Sequence, residues 1–128
     1  MNYEDLIAKA MEAREKAHAP YSDFTVGAAL LAKSGRVYTG CNVENASYGL
    51  SICAERVAVF KAVCEGEREF EAIAVVTDRG VTPCGACRQV LMEFTEGIQV
   101  IVADGAGEYR VFALRELLPE AFTPKHLE

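Results

Sequence analysis

Two short segments, Cys53-Ala54-Glu55-Arg56 and Pro83-Cys84-Gly85-Ala86-Cys87, carry three thiols and a carboxylate, and they restrict the folds open to this chain more than any other feature. Each reads as the start of a helix. Cys84 and Cys87, at i and i+3, project from one side of a first turn that Pro83 introduces. Cys53 begins a second helix, running to about Glu65. The macrodipole and the unpaired N–H groups of a helix N-terminus favour thiolate. Three protein sulfurs suit one Zn²⁺ and leave the fourth tetrahedral position for water, which separates a catalytic zinc from a structural one. Glu55 then stands beside that water without ligating. A fold that uses these groups together must bring two helix N-termini to one place.

Three thiolates make zinc electron-rich and a poor Lewis acid, so a cation donating to sulfur is needed to restore acidity. Arg56, one turn from Cys53, is the best-placed candidate, and Arg88 is second. Two other uses of the cysteines compete. A structural zinc knuckle would recruit Cys41 or Cys64; Cys64 lies about three turns from Cys53, whereas spacing does not exclude Cys41. A redox role for Cys84-Gly-Ala-Cys87 also matches a C-x-x-C at a helix start. Neither accounts for Glu55 and Arg56. Cys41 and Cys64 read as buried small hydrophobes.

The rest of the chain supplies the frame. Leu6, Ile7, Ala10, Met11, Arg14 and Ala17 fall near the helical period, predicting a helix from 3 to about 18, which Pro20 breaks. His18 closes that helix, where a cation suits the dipole, and His126 lies in a frayed tail. Thr25 to Lys33 and a short strand through Thr39 form a hairpin about Ser34-Gly35-Arg36, and 40–49 is an ordered loop. Ala72 to Val76 is an apolar run suited to a strand buried on both faces. A helix follows from Cys84 to about Phe94, then strands at Ile98–Ala103 and Glu108–Ala113 and a helix at Leu114–Leu118. Asp104-Gly105-Ala106-Gly107 is too short for a parallel crossover, so the last two strands form an antiparallel hairpin. The α-β-β-α-β-α-β-β-α order predicts one domain over 1–128, an α/β/α sandwich with a five-stranded mixed sheet.

Composition narrows the partners. Thirteen basic residues against 19 acidic give a net charge of −6, without a basic cluster. A polynucleotide-binding face is normally cationic, so a small, uncharged substrate is favoured over nucleic acid. Five cysteines, an odd number, with no signal-peptide pattern at Met1-Asn2-Tyr3, do not read as a secreted disulfide framework. No stretch is long enough to span a membrane. Cytoplasm is the expected location.

The chain resembles the small cytidine deaminases of pyrimidine salvage over nearly its whole length. The matching segments are Ala19-Pro20-Tyr21-Ser22-Asp23-Phe24, Val26-Gly27-Ala28-Ala29-Leu30, Gly40-Cys41-Asn42-Val43-Glu44-Asn45-Ala46, the two cysteine segments with Arg88-Gln89, and Leu117-Leu118-Pro119-Glu120-Ala121-Phe122. The cysteine segments alone would point only to the deaminase superfamily; Asn-x-Glu-Asn-Ala points to a nucleoside. The resemblance implies hydrolysis of cytidine and 2′-deoxycytidine to the uridines and ammonia, one zinc per subunit, and Glu55 as proton shuttle between water, N3 and the leaving amine. It also implies that the Ala54 N–H binds the base carbonyl and that the Thr82 carbonyl receives the amine. Asn42 and Glu44 would bind the 3′-hydroxyl, Phe24 would pack along the nucleoside, and Phe122 would stack on the base from a neighbouring subunit of a homotetramer. Tyr48 is a further aromatic candidate on the same loop. The stretch Asp78–Thr82 is slightly short for the family, and the chain stops soon after Phe122.

Three rivals are distinguishable. A deaminase of blasticidin S or a similar nucleoside-like compound would share the cysteines and Glu55 but lack the Asn42-x-Glu44-Asn45-Ala46 pattern. An editing deaminase would carry histidine at position 53 and a helix between the last two strands. A non-enzymatic zinc protein would tolerate loss of Glu55.

Overall fold

A computed structural model of the chain describes residues 1–94 and 97–128. Its elements in chain order are α1 (Tyr3–Arg14), β1 (Gly27–Ala32), β2 (Val37–Cys41), α2 (Ala54–Cys64), β3 (Phe70–Val76), α3 (Gly85–Met92), β4 (Gln99–Ala103), β5 (Tyr109–Ala113) and α4 (Leu114–Leu117). Short 3₁₀ turns occupy Tyr48–Leu50 and Pro124–Leu127. The five strands form one mixed sheet in the order β2-β1-β3-β4-β5. Only β3 and β4 pair in parallel, joined by the crossover through α3, and β4 and β5 make the antiparallel hairpin.

Alternation along the strands assigns the layers. Ala28, Leu30, Ile73, Val75, Val100 and Val102 pack with Ala54, Ala58 and Val59 of α2 and Leu91 and Met92 of α3. Their strand neighbours Ala29, Ala72, Ala74, Val76, Ile101 and Ala103 pack on the other face with Leu6, Ile7 and Ala10 of α1. Since successive strand side chains point to opposite faces, a strand that is apolar throughout must be covered twice. The result is the three-layer α/β/α sandwich.

Two glycines let helices approach the sheet closely enough to set the site. A Cβ at Gly27 in β1 would lie 1.9 Å from the Ala10 carbonyl oxygen of α1. A Cβ at Gly40 in β2 would lie 2.4 Å from the Ala54 carbonyl oxygen and 2.7 Å from the Ala58 nitrogen. The second contact seats the first turn of α2 directly on β2.

The observed elements differ from the sequence-based bounds at one informative place. α1 starts where expected, capped by Asn2, whose side chain accepts from the Asp5 N–H at 2.8 Å. It stops at Arg14, not near His18. His18 forms a parallel bridge with Val43, its N–H donating to Asn42 O and its carbonyl accepting from the Glu44 N–H. It does not close the helix, because long-range pairing with 42–44 draws it away.

Candidate active site

The cysteines sit where the helix starts converge. Cys53 is the residue before α2 and Cys84 the residue before α3, both extended and neither using its side chain as a cap. Cys87 lies one turn into α3 and is fully buried. The sulfurs of Cys53 and Cys84 are 3.8 Å apart, those of Cys84 and Cys87 3.4 Å, and all three lie within 4.8 Å of one another. Zn–S bonds of about 2.3 Å in tetrahedral geometry separate sulfurs by about 3.8 Å. The donor set therefore fits one zinc ion with three corners supplied by protein.

Electrostatics in the cluster favour anionic sulfur at Cys53. Its thiol is held down to about 5, chiefly by a hydrogen bond with Cys87 and then by Arg56 and Cys84, against the opposing effect of burial. The Cys87 thiol is pushed up by the same pairing with Cys53 and by its burial. Arg56 Nη2 donates to Cys53 Sγ at 3.4 Å, and this bond holds the guanidinium firmly protonated. Its Nε is buried with no hydrogen-bond partner. Arg88 stands elsewhere: its three donors reach Pro83 O (2.7 Å), Leu117 O (2.6 Å) and Thr82 Oγ1 (2.8 Å), and none reaches sulfur.

Glu55 is 4% exposed and lies in the first turn of α2. Burial pushes its carboxyl up, and the charge on Cys53 adds to that effect. Its own backbone N–H and the Cys87 thiol act in the opposite direction. A carboxyl raised in this way holds a proton more readily than an exposed glutamate, as a group that must take up and release one requires.

Beside the cluster lies a cleft of about 360 Å³, at the carboxyl end of β3. Glu55, Cys53 and Cys84 line its floor, and Phe24, Asn42, Glu44 and Thr82 its walls, with Val75 and Thr77 of the β3 end between them. Ala54, between the lining residues Cys53 and Glu55, is buried as the first residue of α2, where a backbone N–H has no intrahelical partner. Asn42 and Glu44 are already partly engaged. Asn42 Oδ1 accepts from the Val26 N–H at 2.8 Å, and its Nδ2 donates to Phe24 O at 2.7 Å. Glu44 Oε1 accepts from the backbone N–H groups of Tyr21 and Ser22 at 3.0 and 3.1 Å, while Oε2 accepts from the Ser22 hydroxyl. These bonds, led by that of the Ser22 side chain, hold the Glu44 carboxyl below the usual carboxylate range. Together the two residues clamp the 21–26 segment that carries Phe24.

Other residues singled out in the sequence fall outside the cleft. Tyr48 is 72% exposed and meets Tyr21 edge-on. Phe122 is 58% exposed, its ring stacked on His126 and its carbonyl held by Gln89 Nε2. His126 is not in a frayed tail: it belongs to the Pro124–Leu127 turn, and its Nδ1 accepts from the Thr123 N–H. Nor are Cys41 and Cys64 buried hydrophobes, since Cys41 is half-buried on β2 and Cys64 is exposed at the end of α2. Both are the last residues of their elements.

Sequence reading passed over Thr77 and Ser22. Thr77 is buried, and its Oγ1 accepts from the Gly80 and Val81 N–H groups, folding the short 78–82 stretch into a tight turn at the cleft rim. A threonine at a strand end followed three residues later by glycine was the available signal. For Ser22 the local signal was its reach to the Phe24 N–H two residues on; its bond to Glu44, 22 residues away, left no trace in the local sequence.

Comparison with known proteins agrees with this geometry. The profile of the cytidine and deoxycytidylate deaminase zinc-binding region matches residues 1–103. The chain is 50% identical to a cytidine deaminase of Sporosarcina psychrophila, covering 99% of this chain and 96% of that protein. It is 52% identical to one of Halalkalibacterium halodurans over 99% and 98%. The crystal structure of cytidine deaminase from Burkholderia pseudomallei superposes with a TM-score of 0.92 at 52% identity, over 95% of this chain and all of the other. That from Mycobacterium tuberculosis gives 0.84 at 41% identity, over 95% and 98%. With a three-sulfur cluster of zinc geometry beside a buried glutamate, the chain belongs to the cytidine and deoxycytidylate deaminase zinc-binding family.

Proposed function

We propose that the protein hydrolyses cytidine and 2′-deoxycytidine to the corresponding uridines and ammonia, with Glu55 as the proton carrier. The observation that carries this reading is the placement of Glu55 with Cys53 and Cys84 of the cysteine cluster on the floor of one cleft whose walls offer hydroxyl-binding groups. Cys53, Cys84 and Cys87 would hold the zinc. When bound, zinc supplies the Lewis acidity that makes water a nucleophile at neutral pH.

The residues of the chain do the remaining work. Glu55 takes a proton from water as oxygen adds to C4 of the ring, and delivers it to N3. A second proton from water then passes through Glu55 to the exocyclic nitrogen, which leaves as ammonia. Water is consumed and the carboxyl ends as it began. The Ala54 N–H, at the positive end of α2, suits the base carbonyl, and the Thr82 carbonyl on the rim suits the amine. Arg56 withdraws charge from Cys53 through its 3.4 Å hydrogen bond.

The spare capacity of the clamp supports recognition of a sugar hydroxyl. Asn42 retains one unused N–H, and Glu44 Oε2 one unused lone pair. One hydroxyl can accept from the first and donate to the second. The anionic Glu44 also disfavours a nearby phosphate, which supports a nucleoside over a nucleotide. Phe24 lines the same wall. Phe122 and Tyr48 are exposed and line no part of this cleft in the single chain; in a homotetramer such rings would complete a neighbour's site. The chain acts as one domain over 1–128. Among the described residues no helix is long and apolar enough to cross a membrane. All five cysteines are free, which suits a reducing, cytoplasmic setting.

Ammonia release from zinc-loaded protein offered cytidine, deoxycytidine, cytosine, cytidine monophosphate and blasticidin S tests the reading, with Glu55→Ala alongside. Turnover of the two nucleosides alone, lost in the variant, is the expected result. Turnover of blasticidin S alone would keep the chemistry and overturn the roles given to Asn42 and Glu44.

A further inference from the structure

We propose that Ser22 is a positioning residue that sets the cleft's selectivity for a hydroxyl-bearing sugar by locking the Glu44 carboxylate against the wall that carries Phe24. The inference rests on the reading that Asn42 and Glu44 share one sugar hydroxyl.

The Ser22 hydroxyl joins the two parts of that wall. It donates its single proton to Glu44 Oε2 and accepts the Phe24 N–H at 3.0 Å. The Ser22 N–H adds a third bond, to Glu44 Oε1. Glu44 Oε1, with two backbone donors, has no lone pair left, so any ligand hydroxyl must address Oε2. Ser22 occupies one lone pair of Oε2 and thereby fixes the direction of the other.

Backbone geometry shows why a side chain is needed there. Asp23, between the two bonded residues, has φ of +58°, a left-handed conformation uncommon outside glycine. Its own N–H is held by Ala19 O at 3.0 Å. The reversal at 22–24 therefore depends on side-chain and loop bonds, with no sheet ladder to hold it. Without the Ser22 hydroxyl, Phe24 loses its amide partner and Glu44 keeps only two donors, both on one oxygen. The carboxylate can then swing about Oε1, and the Oε2 lone pair loses its aim. A site that reads a hydroxyl discriminates only while its polar groups are aimed at that hydroxyl.

Steady-state kinetics of Ser22→Ala, Ser22→Thr and Glu44→Ala, with cytidine, 2′-deoxycytidine and 3′-deoxycytidine, test the inference. Ser22→Ala is expected to raise the KM for cytidine about tenfold with kcat changed less than about twofold, the signature of lost binding without lost chemistry. Ser22→Thr, which keeps the hydroxyl at an exposed position, should restore the wild-type KM. The penalty should vanish on the deoxy analogue that Glu44→Ala no longer distinguishes from cytidine. A KM unchanged in Ser22→Ala but raised in Glu44→Ala overturns the inference and leaves the hydroxyl reading standing. Equal losses on all three substrates, or a fall in kcat alone, overturn it in favour of general loop damage. If Glu44→Ala leaves selectivity among the three untouched, the hydroxyl reading itself fails and the inference fails with it.

Discussion

The floor and the wall of the cleft are built by different means. The floor is two helix starts pressed onto a sheet: Cys53, Glu55 and Arg56 lie within four consecutive positions of one segment, and Cys84 and Cys87 within four of another. Its geometry follows from helix periodicity and from Gly40, which lets α2 rest on β2. The wall is loop, and it is held by side chains reaching backbone groups far along the chain: Asn42 to 24 and 26, Glu44 to 21 and 22. Chemistry that needs sulfurs placed to a few tenths of an ångström rests on packed secondary structure. The recognition proposed above would rest on a hydrogen-bonded loop, separate in sequence from the cysteine segments.

If that division holds, damage to the floor should cost turnover and damage to the wall should cost binding. The largest effect is expected from Glu55→Gln, which keeps size and hydrogen-bonding capacity but removes the proposed proton carrier. kcat should fall by about 10⁴-fold, while zinc content, measured by atomic emission, stays at one ion per chain. Loss of zinc in this variant would mean that Glu55 helps to hold the site together.

Gly40→Ala attacks the floor from behind. The new methyl would meet the Ala54 carbonyl oxygen at 2.4 Å, so α2 must shift. We expect a loss of about 1–3 kcal/mol in urea unfolding, with zinc affinity falling as well because Cys53 moves with the helix. An equal change at Gly27, against α1, should destabilise the fold without weakening zinc in the chains that remain folded.

Arg88→Ala sharpens the boundary, since Arg88 grows from the floor helix but ties Thr82 and Pro83 of the rim to Leu117. Its removal should cost about 2–3 kcal/mol of stability, the value of a charged hydrogen bond with its stranded partners. The absorption spectrum of the cobalt-substituted cluster should not change, because no donor of Arg88 reaches sulfur. A shifted spectrum would move Arg88 into the metal's surroundings.

The smallest effect concerns pH. Glu44 is held below the usual carboxylate range, so the unfolded chain takes up a proton at this position before the folded chain does. The stability it contributes is complete above that range and is lost as pH falls through its lowered value. Denaturation midpoints of wild type and Glu44→Gln should therefore converge on acidification. A gap that stays constant with pH would show that the carboxylate's charge does not hold the 21–22 turn.

The site was only partly legible in the chain, for the same reason that floor and wall differ. Sulfur and carboxylate spacing is local, and helix geometry converts it directly into position, so the cluster residues could be named from the sequence. So could the hairpin of β4 and β5, because the link over 104–108 is too short for a parallel crossover. α1 was read too long because its last turn is replaced by a bridge from His18 to Val43, a partner that periodicity cannot see. The resemblance singled out Asn42 and Glu44 as candidates for ligand binding, but their clamp on 21–26 was not legible, and the part of Ser22 in it was not either.

The sequence by itself determined which residues are chemically able to hold zinc and carry a proton, and that two helix starts had to meet to use them, because those demands are set by residue type and by spacings of a turn or less. Only the tertiary structure decided where Asn42, Glu44 and Arg88 place their hydrogen bonds. Apart from the Arg88 bonds to Thr82 and Pro83, their partners lie 16 to 29 residues away, and such contacts exist only once packing of the sheet and its two helical layers has brought the loops together.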